Sequence, residues 1–148
     1  MISNGKFYES QFEEATIELL REAHWQYAFG DDIHRKYTDP LIEEDLRNFL
    51  TVQYKDKNLT TSEMDSIVAN LRNTGGQNDY YALRNAFLLY RDGYDFAYSD
   101  GRDNPFRLEY IDFEHPDHNI FRCVNQFVME QGRENRRPDI LLFINGIP

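Results

Sequence analysis

Apolar residues recur at helix spacing along the earlier part of the chain and at strand spacing along the later part. From 8 to about 23, Phe12, Ala15, Thr16, Leu19, Leu20 and Ala23 fall at 3.6-residue spacing, which predicts an amphipathic helix. Trp25 to Phe29 reads as a short strand, closed by Gly30-Asp31-Asp32. Pro40 opens a second helix through Leu41, Leu46, Phe49 and Leu50. Thr60 with Glu63 three residues on forms a capping box for a third, through Met64, Ile67, Val68 and Leu71, which Thr74-Gly75-Gly76 ends. A fourth, over about 78–91, carries Tyr81, Ala82, Leu83, Ala86, Phe87 and Tyr90 and stops at Asp92-Gly93. From Tyr94 the period drops toward two: Tyr94-Phe96-Tyr98, Phe106-Leu108-Tyr110, Ile111-Phe113, Ile120 to Met129 and Ile140 to Ile144 read as strands. Asp100-Gly101, His115-Pro116-Asp117 and Gly132 break them. Helices first and sheet second predicts an α+β or three-layer α/β domain, with a mixed sheet of four to five strands and the first helix on one face. Nothing over about 40–92 alternates, so that stretch is expected to be a helical insertion at the sheet edge. There is no internal repeat.

Composition narrows this picture. A chain of 148 residues, 41% hydrophobic and 15% aromatic, can fill the core of one domain. A formal net charge of -10 argues against a protein that grips nucleic acid by bulk electrostatics, since duplex binding draws on clustered Lys and Arg. If DNA is the substrate, other domains must hold it. Cys123 has no second cysteine to pair with, the start lacks an apolar leader, and no stretch nears the roughly 20 apolar residues that span a bilayer, so a cytoplasmic location without membrane contact is expected. The Asn58-Leu59-Thr60 sequon is then inert.

The densest chemistry lies in Arg136-Arg137-Pro138-Asp139-Ile140-Leu141-Leu142-Phe143-Ile144-Asn145-Gly146-Ile147-Pro148. Alternation puts Asp139, Leu141 and Phe143 on one strand face and Ile140, Leu142 and Ile144 on the other. Both faces ask for burial, as in a central strand, so Asp139 is expected where water thins out. Asn145-Gly146 signals a two-residue type I′ turn, because both central residues take positive φ there. Such a turn pairs Ile144 with Ile147 and Phe143 with Pro148, and places the position opposite Asp139 about four residues past Pro148.

This run of Arg-Pro-Asp, apolar strand, Asn-Gly and Ile-Pro resembles the PD-(D/E)xK nuclease motif near the start of the restriction (R) subunit of type I restriction-modification enzymes. Val124-Asn125-Gln126-Phe127 and the opening helix at Phe12-Glu13 extend the resemblance over most of the chain. It implies a restriction-endonuclease-like sheet, and a Glu-x-Lys facing Asp139 from the returning strand, beyond Pro148. Residues 1–148 are thus expected to be a nuclease domain incomplete at its C-terminal end and inactive in isolation. The resemblance further implies Asp139 and Glu13 as catalytic metal ligands for Mg²⁺, hydrolysis of unmodified DNA, an ATP-driven motor elsewhere in the full-length protein, and methyltransferase and specificity subunits as partners. Paired carboxylates suit that chemistry, since a divalent ion lowers the pKa of bound water and neutralises charge on the leaving oxygen, and oxygen ligands with room for water favour Mg²⁺.

Other readings of these residues stay open. On a helical wheel of about 100° per residue with Phe12 at zero, Leu20 falls at about 80°, Glu13 at about 100° and Ile17 at about 140°, so Glu13 lies on a buried flank and needs a partner. It is a metal ligand or, with Ser10, a capping box folded back on the helix start; Glu9 is the reserve acid. Asp139 alternatively pairs with Arg136 or Arg137, which themselves either reach a phosphate or are solvated loop charges. Gln126 either orients a ligand or faces solvent. His115-Pro116-Asp117-His118 reads as a turn whose histidines need not converge. No phosphate-binding Gly-x-x-x-x-Gly-Lys is present. Alternatives to the restriction subunit are a stand-alone nuclease of the same superfamily, such as a junction resolvase, an acidic DNA mimic, and a helical protein-interaction module without catalysis.

Overall fold

The computed structural model describes residues 9–73 and 79–148. Its chain divides into two compact units, residues 1–42 with 120–148 and residues 43–119. The expected insertion at 40–92 falls almost wholly in the second. The class is mixed α+β.

In the first unit, helix α1 (Glu9–Glu22) leads into strand β1 (Gln26–Phe29). β1 pairs in parallel with β4 (Phe121–Asn125), and β4 pairs antiparallel with β7 (Ile140–Ile144). Among the described residues the sheet therefore has three strands in the order β1-β4-β7, where four to five were expected. The apolar run from Ile120 to Met129 is not one strand. Gln126 takes a positive φ of 58°, which ends β4 and turns the chain toward β5 (Met129–Gln131). β5 folds back on β6 (Glu134–Arg136) across Gly132, whose φ is 62°. Register explains the core. Ala28, Val124 and Leu141 are cross-strand neighbours, and together with Phe143 they face Ile42, Phe127, Ile33 and Met129. The Phe127 and Phe143 rings meet at 4.9 Å between centroids. Each fully buried side chain of this size contributes about 1.5–3 kcal/mol.

The hairpin forms as the sequence predicts. Asn145 and Gly146 have φ of 52° and 76°, and Ile144 and Ile147 exchange two backbone hydrogen bonds of 2.9 Å. Asn145 is wholly buried; its N–H donates to the Ile120 carbonyl at 2.8 Å and its Oδ1 accepts the Ile120 N–H at 2.7 Å, which pins the turn to the start of β4.

The second unit holds α2 (Glu43–Gln53), α3 (Thr61–Arg72), α4 (Asp79–Asp92) and the hairpin of β2 (Tyr94–Phe96) with β3 (Phe106–Leu108). The Thr60–Glu63 capping box is present, and Leu46, Leu50, Ile67, Val68, Leu108 and Tyr110 form the interior. The expected stop at Thr74-Gly75-Gly76 lies outside the described residues. The tyrosine-rich strands thus pair with each other inside this unit, which is one reason the sheet of the first unit is smaller than expected. Ile111–Phe113 is not a strand, because the Asp112 carboxylate accepts the N–H groups of Glu114 and His115 and closes a turn.

Candidate functional site

α1 has no buried residue, and it meets the sheet along Glu13, Ile17 and Leu20, its half-buried stripe at i, i+4 and i+7. Phe12 and Leu19, expected on the inner face, are 59% and 65% exposed. Glu13 therefore does lie on the inward flank, as its wheel position predicts. Its carboxylate does not fold back to Ser10. Oε1 accepts the side-chain amides of Asn125 at 3.1 Å and Gln126 at 3.2 Å, from the end of β4, while Oε2 has no hydrogen-bond partner among the described residues. Asn125 is oriented in turn by Tyr27, whose hydroxyl donates to its Oδ1 at 2.6 Å. Burial, with the Cys123 thiol and the Glu13 carboxylate adding to it, pushes the Tyr27 phenol above its ordinary pKa, so it stays a proton donor. An open cleft of about 770 Å³ runs along this stripe, with Glu13, Ile17, Arg21, Tyr27 and Asn125 among its walls.

Asp139 sits one residue before β7, at the level where Asn125 pairs with Ile140. Its carbonyl oxygen accepts the backbone N–H of Gln126 at 3.1 Å. Gln126 thus donates from its side chain to the Glu13 carboxylate and from its main chain to the Asp139 carbonyl, so the two residues flank the same end of β4. Asp139 is exposed, contrary to the expectation that water thins out there. Asp139 precedes β7 at the end of the sheet, and Leu142 further along the strand is 44% exposed. Among the described residues the Asp139 carboxylate has no side-chain partner, and Arg136 pairs with Glu134 at 3.6 Å instead. Gln126 proves half-buried and engaged, where a solvent-facing strand residue was the alternative. A positive φ outside glycine is the feature that turns it inward, and no local sequence signal marks it.

In the second unit, the His115-Pro116-Asp117-His118 turn does converge. His118 Nδ1 lies 3.0 Å and His115 Nδ1 3.6 Å from Asp112 Oδ2. Burial works against the Asp112 charge, yet the His115 N–H, the Gln53 amide and the His118 ring outweigh it and hold the carboxyl at about 2. Asp112 carried no signal of its own in a segment that alternates like a strand.

The family model for the type I restriction enzyme R protein N terminus matches residues 6–148. The chain belongs to this family. The type I restriction enzyme HindI endonuclease subunit of Haemophilus influenzae is 27% identical over 150 residues, 95% of this chain and 14% of its own length. The "Putative type I restriction enzyme MjaIXP endonuclease subunit" of Methanocaldococcus jannaschii is 28% identical over 144 residues, 92% of this chain and again 14% of its own length. The R-protein chain described here therefore spans about one seventh of each relative. No solved structure matches it significantly. No helix among the described residues is long and apolar enough to cross a membrane.

Proposed function

We propose that this chain is the N-terminal nuclease part of a type I restriction endonuclease subunit, and that Glu13 and Asp139 supply carboxylates for a metal-dependent cut of unmodified DNA. The observation that carries the reading is the double hold of Gln126, side chain on Glu13 and main chain on Asp139. Family membership over residues 6–148 supports it independently.

The residues fit a hard divalent ion such as Mg²⁺. Among the described residues Glu13 keeps one oxygen without a hydrogen-bond partner beside an open cleft, and the Asp139 carboxylate is accessible. Such an ion would supply a water of lowered pKa and neutralise charge on the scissile phosphate. Asn125 and Gln126 fix Glu13 by spending their amide donors on Oε1, and Tyr27 keeps Asn125 in the orientation that lets it donate. A restriction-endonuclease-like fold completed beyond Pro148, a lysine to orient the water, an ATP-driven motor, and methyltransferase and specificity subunits belong to the same proposal. The word "subunit" in both relatives' names supports an assembly. The low basicity of the chain fits a nuclease that relies on other parts to hold its substrate, in the cytoplasm where unmodified DNA arrives.

The test is plasmid cleavage by the assembled enzyme carrying Asp139→Asn. Loss of double-strand cutting with ATP hydrolysis retained is expected; wild-type cutting would end the assignment.

A further inference from the structure

The loop over 111–119 is built more tightly than a connection requires. Asp112 Oδ1 accepts the N–H groups of Glu114 at 3.1 Å and His115 at 2.8 Å. Asn119 clamps the other side: its amide donates to the carbonyls of Asp112 at 2.8 Å and Pro116 at 3.0 Å, and its Oδ1 accepts the Asp112 N–H at 2.9 Å. Pro116 opens a single 3-10 turn, Pro116–His118, that turns both imidazoles to one side. Their rings stack at 4.9 Å with an interplanar angle of 19°.

The consequence is a convergent donor set. One ligand atom from each of Asp112, His115 and His118 lies within 4.8 Å of the others. Tetrahedral Zn²⁺ with bonds of about 2.0–2.1 Å separates its ligand atoms by about 3.3 Å. The distances from Asp112 Oδ2 to the two histidine nitrogens, 3.0 and 3.6 Å, bracket that edge. Gln53 Nε2 donates to the same Oδ2 at 2.9 Å and orients the carboxylate, as the outer partners of metal ligands do. Hydrogen bonding accounts for only part of this geometry: the His118 ring is within hydrogen-bond distance of Asp112 Oδ2, whereas His115 Nδ1 at 3.6 Å lies beyond it and yet sits against the same oxygen. A single cation among the three satisfies all of them. The histidine side chains are 61% and 50% exposed, so an ion has a way in and a fourth position stays open to water.

We propose that Asp112, His115 and His118 form a zinc site with three protein ligands and an open fourth position. Two imidazoles and one carboxylate suit a borderline transition ion and disfavour Mg²⁺, which demands oxygen ligands in octahedral array. The site is separate from the Glu13 and Asp139 chemistry and stands whether or not that reading does.

The test is titration of the tag-free, chelator-stripped chain with Zn²⁺ by calorimetry and with Co²⁺ by visible absorption. One ion per chain at a Kd of about 10 μM or tighter is expected, undisturbed by millimolar Mg²⁺. His115→Ala and His118→Ala each weaken it at least about tenfold, and Asp139→Ala leaves it unchanged. Both histidines are exposed, so circular dichroism of the two variants should match the parent. Absence of binding at about 100 μM, or equal affinity in the His115→Ala/His118→Ala double variant, would overturn the proposal.

Discussion

The carbonyl oxygen of Gln126 occupies the place a side chain on Gly30 would need: a Cβ there would lie 2.1 Å from it and 2.6 Å from the carbonyl carbon. Gly30 follows β1 directly, and Gln126 follows β4, so this approach closes the sheet end beneath Glu13. Gly30→Ala must push the Gln126 main chain away. A loss of about 1–3 kcal/mol in urea unfolding is expected. The same substitution in the assembled enzyme should lower cleavage, because Gln126 donates to the Glu13 carboxylate and to the main-chain carbonyl of Asp139.

Glu13 and Asp139 differ in what they cost the fold. Asp139 is exposed and has no side-chain partner among the described residues, so Asp139→Ala should leave unfolding free energy within about 0.5 kcal/mol of the parent. Cleavage by the assembled enzyme should fall on the order of a thousandfold, the effect of removing several kcal/mol of metal-mediated charge stabilisation.

Gln126→Ala tests the positioning argument. It removes one of two amide donors to Glu13 and leaves both acids in place. Cleavage should fall about 10- to 100-fold, and raising Mg²⁺ should recover part of it, which a purely structural role for Gln126 would not allow.

Asn145→Ala combines two losses. The half-buried Ile120 N–H loses its acceptor, and alanine must adopt a φ of 52°. Together these should cost about 2–4 kcal/mol in thermal or chemical unfolding.

Acid should weaken the second unit through Glu63. The fork of Arg102, with bonds of 2.6 and 2.7 Å, and the Thr60 N–H hold its carboxyl at about 2. In the unfolded chain the group titrates at about 4.3. Its folded pKa is the lower one, so its contribution is complete above about 4.3 and disappears as pH falls toward about 2. Denaturation midpoints measured from pH 6 down to 2.5 should drop more steeply in the parent than in Glu63→Gln.

Legibility in the sequence followed the range of the interaction. The Thr60–Glu63 box, the Asn145-Gly146 turn with its Ile144–Ile147 pairing, and the inward angle of Glu13 were readable because each depends on residues a few positions apart. Gln126 was not, since its partner Glu13 lies 113 positions away and its positive φ falls in a run of strand formers. The exposure of Asp139 was missed for a related reason: two apolar faces along Ile140–Ile144 do not say how deep the residue just before the strand sits. Ile111–Phe113 alternates like a strand, yet the buried Asp112 carboxylate captures local N–H groups and wins over the ladder. The β5–β6 hairpin went unseen because Glu134, Asn135 and Arg136 are all exposed and carry no apolar period.

The claim that positions 13 and 139 serve one ion is tested most directly by a double-substitution cycle on DNA cleavage by the assembled enzyme. If the two carboxylates act as a unit, Glu13→Ala combined with Asp139→Ala should be no slower than Asp139→Ala alone. Losses that multiply, or a Glu13→Ala enzyme that cuts at the parent rate, would contradict a shared site.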